Sequence, residues 1–552
     1  MSDTKEELFP QVAEREFPEK RYKHRKVTFK TYEQDKEYLF PQSTDDYVSK
    51  MHIARLISRI VETIDLSQIL ATYIGGGTSA YDPRMLLKVW LLGFIYRVYT
   101  SRKLSRMLEE HVAFIWISGA TRVDFHTLSN FRMRLKEDIK QIFKEIVIVG
   151  MKLGIITGET VFIDNTKIGA NGNRHKMVWR KQVEKQLQRI EGELELLFRH
   201  IDEENRKEDQ AYGDADATND SGSYDMNALS EFVNAINRKL KDKTVSREEA
   251  REERKKARRA AELIARKSNY EMKKGILGKR NSYSSTDPEA TAMLMKDGVT
   301  IAPGYNEGIA AENQFVINYT VSDNAADTVS FKELLEGAID NLGEKPDAAV
   351  ADAGYGSEEN YEYLEKKEIT GYVKYNTYHK EKNEKWRNEK LRFEDFIYCE
   401  EGDYYICKND ARLEFCHDRT TTTPTGYEQF LKVYHAREED CRNCPYKDRC
   451  TDAAHRTLTV NENYNRLKME ARSNLDGGKG KILYKMRGTE VETVFGDRKQ
   501  NHGIRRYVLR GKKKVMVEAG FYYIAYDIKK IYRFLIGKLF SFKLLYPAID
   551  FG

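Results

Sequence analysis

Two apolar, β-prone stretches that lie far apart in the chain each end in an aspartate. These aspartates are Asp164 and Asp352, and a third carboxylate, Glu492, stands inside a helical pattern near the end of the chain. Carboxyl ends of strands in an α/β sheet are where ligands bind, so we expect Asp164 and Asp352 to lie close together. Three gathered carboxylates would repel one another unless cations lay between them. The pattern therefore predicts a divalent metal site suited to phosphodiester chemistry.

A single aspartate at the end of a strand has an ordinary explanation as well. Such residues commonly cap the next helix or form a turn, and for one residue alone that reading is the better one. Three carboxylates in this order, with a basic segment beside the last, favour catalysis.

Length and charge limit the classes of protein that the chain can belong to. With 552 residues it exceeds the size at which a single core stops growing, so we expect two to four modules. Its 93 Lys and Arg against 87 Asp and Glu leave a net charge of only +6, so only local clusters of charge can indicate a nucleic-acid partner. We find no stretch resembling a signal peptide and no apolar run of membrane-spanning length, and therefore expect a cytoplasmic protein without a membrane partner.

The pattern of residues predicts an α/β fold class with further parts on either side of, and within, the α/β core. Strand, hairpin, helix, strand, helix and strand follow one another in the core, the order of a mixed sheet. The predicted parts are a flexible basic arm (1–45), a helical domain (46–153), the α/β core (154–175, 300–376 and 481–540), a helical insertion (176–299) and a Cys-rich insertion (377–480).

The helical domain has the short helices and tight turns of a helix-turn-helix DNA-binding domain. Its last helix carries Arg132 and Arg134, which we predict to contact DNA. An ordinary helical bundle with a polar outer face explains the same pattern and is favoured when the pattern alone is considered.

The helical insertion begins with apolar residues at alternating four- and three-residue steps between Val183 and Ile201, which predicts a coiled-coil seam. A second helical stretch follows, so an antiparallel hairpin is expected. Holding DNA, forming a dimer and being a tolerated insertion remain equally open as its role.

All six cysteines lie in the Cys-rich insertion. Cys441, Cys444 and Cys450 form a compact cluster, and Cys407 is the favoured fourth ligand of a structural Zn²⁺ without a catalytic role. The alternative is a set of reduced cysteines in a loop-rich segment.

The most basic part of the chain spans residues 485–514. Glu492 and Lys499 are seven residues apart, so on an α-helix they share a face. A carboxylate with a cation beside it suits a DNA backbone that enters a metal site, and Arg505 and Arg506 add to the positive charge.

Spread over most of the chain, these motifs resemble those of the DDE transposases of bacterial insertion sequences, in the branch with a Tyr-Arg-Glu-Lys signature. The matching motifs are AYDP (80–83), LLK (86–88), SRKL (101–104), NFR (130–132), FIDNTK (162–167), TDPEA (286–290), PGYN (303–306), DAGYG (352–356) and VETVFG (491–496).

The resemblance implies a ribonuclease-H-like catalytic core in which Asp164, Asp352 and Glu492 bind two Mg²⁺ or Mn²⁺ ions. It also implies that Tyr484, Arg487 and Lys499 handle DNA. One departure is the four residues between Arg487 and Glu492, where the usual signature has three. This spacing makes Glu490 an alternative third carboxylate.

The function that the resemblance implies is cleavage at the ends of an insertion sequence and strand transfer into target DNA. The partners would be double-stranded DNA, as terminal inverted repeats and as target, and a second copy of the chain in a homodimer on DNA. A related metal-dependent nuclease without strand transfer and a catalytically inactive DNA-binding regulator are the alternatives. A coiled-coil scaffold would leave the strand-end aspartates unexplained.

Overall fold

The structure, a computed structural model, describes residues 43–73, 79–212 and 246–545 together with Val233, Asn234, Ile236 and Arg238. All but the last three residues of the predicted basic arm (1–45) lie outside the described residues. Much of the predicted second helical stretch of the insertion, including Leu229 and Phe232, lies outside them too. Within the described ranges, no helix is long and apolar enough to cross a membrane.

Helices make up the first part of the described chain and alternate with strands afterwards. The α-helices are α1 (Ile53–Thr63), α2 (Ser67–Ala71), α3 (Pro83–Ile95), α4 (Ser101–Glu110), α5 (Val112–Ile117), α6 (Phe125–Arg134), α7 (Ile139–Lys152), α8 (Arg180–Tyr212), α9 (Arg247–Leu277), α10 (Phe331–Leu342), α11 (Glu358–Lys367), α12 (Glu384–Glu389), α13 (Glu438–Arg442), α14 (Lys447–Cys450), α15 (Glu462–Asp476), α16 (Gly478–Arg487), α17 (Thr493–Gly496) and α18 (Lys512–Leu545).

The strands fall into three sheets. They are β1 (Thr160–Gly169), β2 (Met177–Trp179), β3 (Ser282–Ser284), β4 (Thr291–Leu294), β5 (Ile301–Glu312), β6 (Phe315–Ser322), β7 (Ala348–Ala351), β8 (Thr370–Val373), β9 (Ile397–Cys399), β10 (Tyr404–Ile406), β11 (Arg412–Thr422), β12 (Glu428–Ala436) and β13 (Thr457–Val460). The mixed α/β class and the helical N-terminal region are thus confirmed.

Local sequence signals explain where the N-terminal helices begin. The Asp82 side chain accepts hydrogen bonds from the backbone N–H groups of Arg84 and Met85, and Pro83 occupies the first turn of α3. Asp124 caps α6 in the same way. Both aspartates therefore fix the start of a helix whose apolar face is buried.

The central sheet has the order β4-β5-β1-β7-β8, and β6 pairs with β5 on the side opposite β1, next to β4 along that strand. Strand β1 is antiparallel to β5 and parallel to β7, which is itself parallel to β8. The β-prone run was expected to stop at Asp164, but Asp164 lies inside β1, which spans Thr160–Gly169. Pairing with β5 continues to Gly169, because a hydrogen-bonded partner strand stabilises the extended backbone well past the end of β7.

The last helix, α18, runs through the middle of the molecule. Its residues Phe521, Tyr522 and Tyr523 are buried, and the Phe521 ring stacks on Phe94 of α3 with the ring centroids 5.5 Å apart. One continuous hydrophobic core therefore joins the N-terminal helices, the central sheet and α18.

The helical insertion contains a hairpin whose two long helices cover each other's apolar sides. Val183 of α8 packs with Leu277 of α9, and Ile190 of α8 packs with Ala260, so the helices run antiparallel. Since α9 covers the predicted coiled-coil seam in this part of α8, the same face is not open to a second chain. At the base of the hairpin, β2 and β3 form a two-stranded sheet.

The Cys-rich insertion is built around an antiparallel sheet of the order β13-β12-β11-β10-β9. The loop-rich character expected from its composition is therefore wrong. Long strands such as β11 are mostly exposed, so their apolar content is low and the sequence carries little strand signal. Buried Glu358 of α11 ties this sheet to the core by accepting hydrogen bonds from the side chains of Gln429, Asn461 and Asn463.

Candidate active site

The pairing of β1 with β7 brings Asp164 near Asp352, at the carboxyl end of β7. Phe162 is the partner of Val350 where β1 runs parallel to β7, and Asp164 and Asp352 each follow two residues later, close enough for the charge of Asp352 to raise the pKa of Asp164. Asp352 directly follows β7, and its carboxylate accepts a hydrogen bond of 2.8 Å from the Gly354 backbone N–H. The sheet itself therefore holds these two carboxylates near each other.

Asp164 lies in a nearly closed environment, with 13% of its side chain exposed. Burial raises the pKa of Asp164 to about 6; the Arg487 guanidinium opposes this shift and the charge of Asp352 adds to it. A carboxyl group with such a pKa releases its proton near neutral pH, where a cation can take its place.

Glu492 comes from the short segment between α16 and α17. It ends a π-helical turn, Gly488–Glu492, that follows α16, and a second π-helical turn spans Asp497–Asn501. Such widened turns re-aim side chains and recur at functional sites. The Glu492 side chain is 62% exposed, so it is free to move toward a cation or a DNA strand.

Glu490, the alternative third carboxylate, has a different place. It is buried and accepts a hydrogen bond of 2.6 Å from the Gln314 backbone N–H in the turn between β5 and β6. Its carboxylate thus satisfies the backbone of that turn, whereas Glu492 faces Arg487.

Arg487 joins two of the three carboxylates. Its Nη1 lies 3.2 Å from Asp164 Oδ2, and its Nη2 lies 3.7 Å from Glu492 Oε1. The guanidinium is largely buried, and the Tyr484 ring lies beside it with 5.7 Å between Arg487 Cζ and the ring centroid. Arg487 therefore supplies positive charge at the place where the carboxylates converge.

Lys499 approaches from the segment after Glu492. Its Nζ donates a hydrogen bond to Thr166 Oγ1, on the same side of β1 as Asp164. Burial lowers the pKa of Lys499 to about 8, and the nearby charge of Lys296 lowers it further. The π-helical turn Asp497–Asn501 changes the helical register before Lys499, so the seven-residue spacing from Glu492 does not place the two side chains on one face.

Lys374 is a member of the site that the sequence analysis missed. It follows β8, its Nζ lies 3.4 Å from the centroid of the Tyr484 ring, and it donates a hydrogen bond of 2.6 Å to His379 Nε2. Burial lowers the pKa of Lys374 to about 8, and the charge of Arg487 adds to this effect. The sequence contained a signal for this role, because Lys374 directly follows an apolar strand just as Asp352 directly follows β7.

A buried ion pair is formed by the residue next to Lys499. Arg498 and Glu307 are both completely buried, with 2.9 Å between Arg498 Nη2 and Glu307 Oε2. Tyr507 and Tyr523 donate hydrogen bonds to the same carboxylate. Since Arg498 stands next to Lys499, this pair fixes the segment that carries Lys499 to strand β5.

Arg505 and Arg506 are exposed beside the extension of β1. Arg505 Nη2 donates to the Gln500 side chain at 3.0 Å, and Arg506 donates to the backbone carbonyls of Ala170 and Gly172 at 2.9 and 2.7 Å. The structure thus places both arginines on the surface next to the site.

The two arginines of α6 have different environments. Arg132 is buried, with its Cζ 4.5 Å from the centroid of the Trp90 ring and its Nη1 donating to the Tyr99 carbonyl at 3.2 Å. The prediction that Arg132 contacts DNA is wrong, because its guanidinium is taken up inside the helical core. Arg134 is exposed over the Tyr73 ring and keeps a place on the surface.

Four cysteines of the insertion lie near one another. Cys441 is buried, and the pKa of Cys450 is raised by burial and further by the charges of Cys441, Cys407 and Cys444. In the part of the chain that the structure describes, no three His, Cys, Asp or Glu side chains are arranged to hold a metal ion, and this applies to the acidic triad as well as to these cysteines. The Zn²⁺ site stays a prediction.

Comparisons with known proteins match two parts of the chain. Residues 42–134 match the family model described as "Transposase domain (DUF772)", and residues 406–532 match the one described as "Transposase DDE domain". No curated protein and no solved structure matches. The second match includes Glu492, and the central sheet brings Asp164 near Asp352. The chain therefore carries a part similar to a transposase domain over residues 42–134 and a part similar to a DDE transposase domain over residues 406–532.

Proposed function

We propose that the chain cuts DNA at the ends of an insertion sequence and joins those ends to target DNA, with Asp164, Asp352 and Glu492 as its acidic triad. One observation carries the proposal. Asp164 and Asp352 each follow the paired residues of β1 and β7 by two positions, and the Arg487 guanidinium lies 3.2 Å from Asp164 and 3.7 Å from Glu492. These contacts support one site built from distant parts of the chain.

The topology of the central sheet supports a ribonuclease-H-like core. An antiparallel run of β6, β5 and β1 followed by parallel β7 and β8 gives the order 3-2-1-4-5 in terms of these five strands. The helical hairpin enters between β1 and β4, and the Cys-rich sheet enters after β8, so both insertions leave this order intact.

The donors in the site suit the divalent ions that the family implies. Carboxylate oxygens are the ligands that Mg²⁺ and Mn²⁺ prefer, and Asp164, Asp352 and Glu492 would hold them. When bound, two such ions activate an attacking oxygen and stabilise the leaving oxygen in phosphoryl transfer. Arg487, which now neutralises Asp164 and Glu492, would then be released toward a DNA phosphate.

Positive groups around the triad would position the DNA. Lys499 contacts Thr166 of β1 and Lys374 follows β8, and the Tyr484 ring lies under Lys374 and beside Arg487. A phosphodiester in the site would therefore meet cations from several directions, which favours one orientation of the strand. Surface residues Arg505, Arg506 and Arg134 would contact DNA further out.

We expect a homodimer on the DNA, because both ends of an element have to be held together before they are joined. The partner DNA would be the terminal inverted repeats and then the target.

The test uses purified protein, labelled DNA with the ends of the element, and Mg²⁺ or Mn²⁺. The variants Asp164→Asn, Asp352→Asn and Glu492→Gln should each lose cutting and joining while still binding the DNA. The matched control is Glu490→Gln, which keeps an acceptor for the Gln314 N–H and should stay active.

Three other results would change the assignment. Cutting without joining would assign the chain to the metal-dependent nucleases. Binding without cutting, in the natural chain as in the variants, would assign it to the DNA-binding regulators. Loss of activity in Glu490→Gln with retention in Glu492→Gln would identify Glu490, and not Glu492, as the third carboxylate.

A further inference from the structure

A cavity of about 520 Å³ lies at the far end of β1, beyond the candidate active site. It is lined by the loop that follows β1, by Thr286 and Pro303, and by the segment after Lys499. Its charged lining residues are Arg174, Arg506 and Arg510, and no acidic side chain lines it. Such a cavity selects an anionic ligand.

Two of the arginines are held in place by the β1 extension. Arg506 donates hydrogen bonds to the carbonyls of Ala170 and Gly172, and Arg510 donates from Nε to the Asn171 carbonyl at 2.9 Å. A guanidinium has five N–H donors, so each of these arginines keeps donors for a ligand. Their orientation is fixed before anything binds.

The opposite wall is ordered by polar contacts. Arg174 donates from Nε to His175 Nε2 at 3.1 Å, and the Asn173 backbone N–H donates to Thr286 Oγ1 at 3.0 Å. Arg174 and His175 are both exposed toward solvent.

The nearest acidic groups are occupied elsewhere. Asp287 is buried and accepts hydrogen bonds from the Tyr305 hydroxyl and from the Gly511 backbone N–H. Glu289 accepts a hydrogen bond from the Lys512 backbone N–H. Neither carboxylate therefore neutralises the arginines at the cavity.

A line of cations connects this cavity with the candidate active site. Lys499 binds Thr166, and Arg506 forms a parallel bridge with Gly169 at the end of β1. A strand rises about 3.3 Å per residue, so the five residues from Asp164 to Gly169 span roughly 17 Å. DNA rises about 3.4 Å per base pair, which makes this distance about five base pairs.

We propose that the cavity lined by Arg174, Arg506 and Arg510 binds the phosphate backbone of the element-end DNA about five nucleotides from the bond that is cut. This inference rests on the proposed function, since it takes the triad as the place of cutting. It adds a second anchoring point that fixes the direction in which the DNA leaves the site.

The experiment measures the affinity of the full chain for a duplex element end in EDTA by fluorescence anisotropy, over a series of KCl concentrations. The test variant is Arg174→Gln/Arg510→Gln, which removes two exposed charges. The matched control is Lys152→Gln/Lys345→Gln, which removes two charges near the amino ends of β1 and β7, away from the site.

Each phosphate contact adds about 0.9 to the slope of log affinity against log salt. We expect the magnitude of this slope to be smaller by about one to two for the test variant and unchanged for the control. Methylphosphonates placed about five nucleotides from the cut should weaken binding of the natural chain and leave binding of the test variant unchanged. Equal slopes in the test variant and the natural chain, or methylphosphonate effects of equal size in both, would overturn the inference.

A second substrate separates this inference from the proposed function. A short DNA that ends three nucleotides from the cut cannot reach the cavity, so the natural chain and the test variant should cut it at equal rates. Absence of cutting on short and long DNA alike would count against the proposed function. Slower cutting of the short DNA by the test variant would overturn the inference, because it would give these arginines a role inside the active site.

Discussion

At the scale of single residues, Arg487 has the most consequential contacts. Its guanidinium lies between Asp164 and Glu492 with little exposure to solvent. A fixed cation there offsets the repulsion that would otherwise keep the carboxylates apart. It also competes with any metal ion for the same oxygens.

We predict that the variant Arg487→Gln changes how metal binding depends on pH. In the natural chain, Mn²⁺ should bind more weakly as the pH falls through about 6, because protons then occupy Asp164. Arg487 opposes the rise of this pKa, so its removal should move the loss of binding to higher pH. Electron paramagnetic resonance of free Mn²⁺ measures this between pH 5 and 8. Exposed Arg189→Gln is the control, and an unmoved or lower midpoint in Arg487→Gln would contradict the prediction.

Lys499 gives a second prediction about pH. Burial lowers its pKa to about 8, so its positive charge is present below that pH and is lost as the pH rises through it. Affinity for element-end DNA should therefore fall between pH 7 and 9, and Lys499→Arg should reduce this fall because a guanidinium stays charged. Anisotropy titrations at constant ionic strength test it. The prediction fails if both proteins lose affinity equally over this range.

At the scale of elements, the pair Arg498 and Glu307 joins the segment after Glu492 to β5. Arg498→Met should lower the apparent free energy of unfolding by about 3–5 kcal/mol, because it leaves a buried carboxylate without its counter-charge. The double variant Arg498→Met/Glu307→Gln should recover much of this loss. Urea unfolding followed by tryptophan fluorescence gives both values, and additive losses would show that the two side chains act independently.

The buried carboxyl of Asp527 links α18 to β6. Its Oδ1 accepts a hydrogen bond of 3.0 Å from the Val316 backbone N–H, and burial raises the pKa of Asp527 well above its usual value of 3.8. The folded chain therefore holds this proton more tightly than the unfolded chain does. Stability from this group is present below pH 3.8 and is lost as the pH rises toward the folded pKa.

Two substitutions at this position should consequently have different effects. Asp527→Asn keeps the acceptor without the charge, so it should gain stability relative to the natural chain as the pH rises from about 4 to 8. Asp527→Leu leaves the Val316 N–H without a partner and should be about 1–3 kcal/mol less stable than Asp527→Asn at all pH values. Thermal unfolding at several pH values tests both, and a constant difference between Asn and Asp would contradict the assignment.

At the scale of the whole molecule, the patterns that could be read correctly from sequence were mostly local. The apolar periodicity between Val183 and Ile201 and the β-prone run before Asp352 predicted a helix and a strand that the structure contains. Long-range pairing was not visible in the sequence, so β1 was expected to end at Asp164 although β5 extends it to Gly169.

The difference between local patterns and long-range contacts also explains the errors in and around the candidate site. Arg132 looks like a surface residue by charge, and only the tertiary contact with Trp90 shows that it is internal. Lys374 joins the site because β8 lies next to β7, which is a property of the sheet and not of either strand. Helix α18 is rich in apolar residues, but its place between the N-terminal helices and the sheet depends on contacts between residues hundreds of positions apart.

The central claim is that carboxylates from three distant parts of the chain form one metal site, and Fe²⁺-dependent cleavage of the protein tests it most directly. Fe²⁺ with ascorbate and peroxide cuts the backbone close to the bound ion. We predict cuts near Asp164, Asp352 and Glu492 together, all suppressed by excess Mg²⁺ and all lost in Asp352→Asn. Cuts at only one of these places, or cuts that persist in excess Mg²⁺ and in Asp352→Asn, would contradict a shared site.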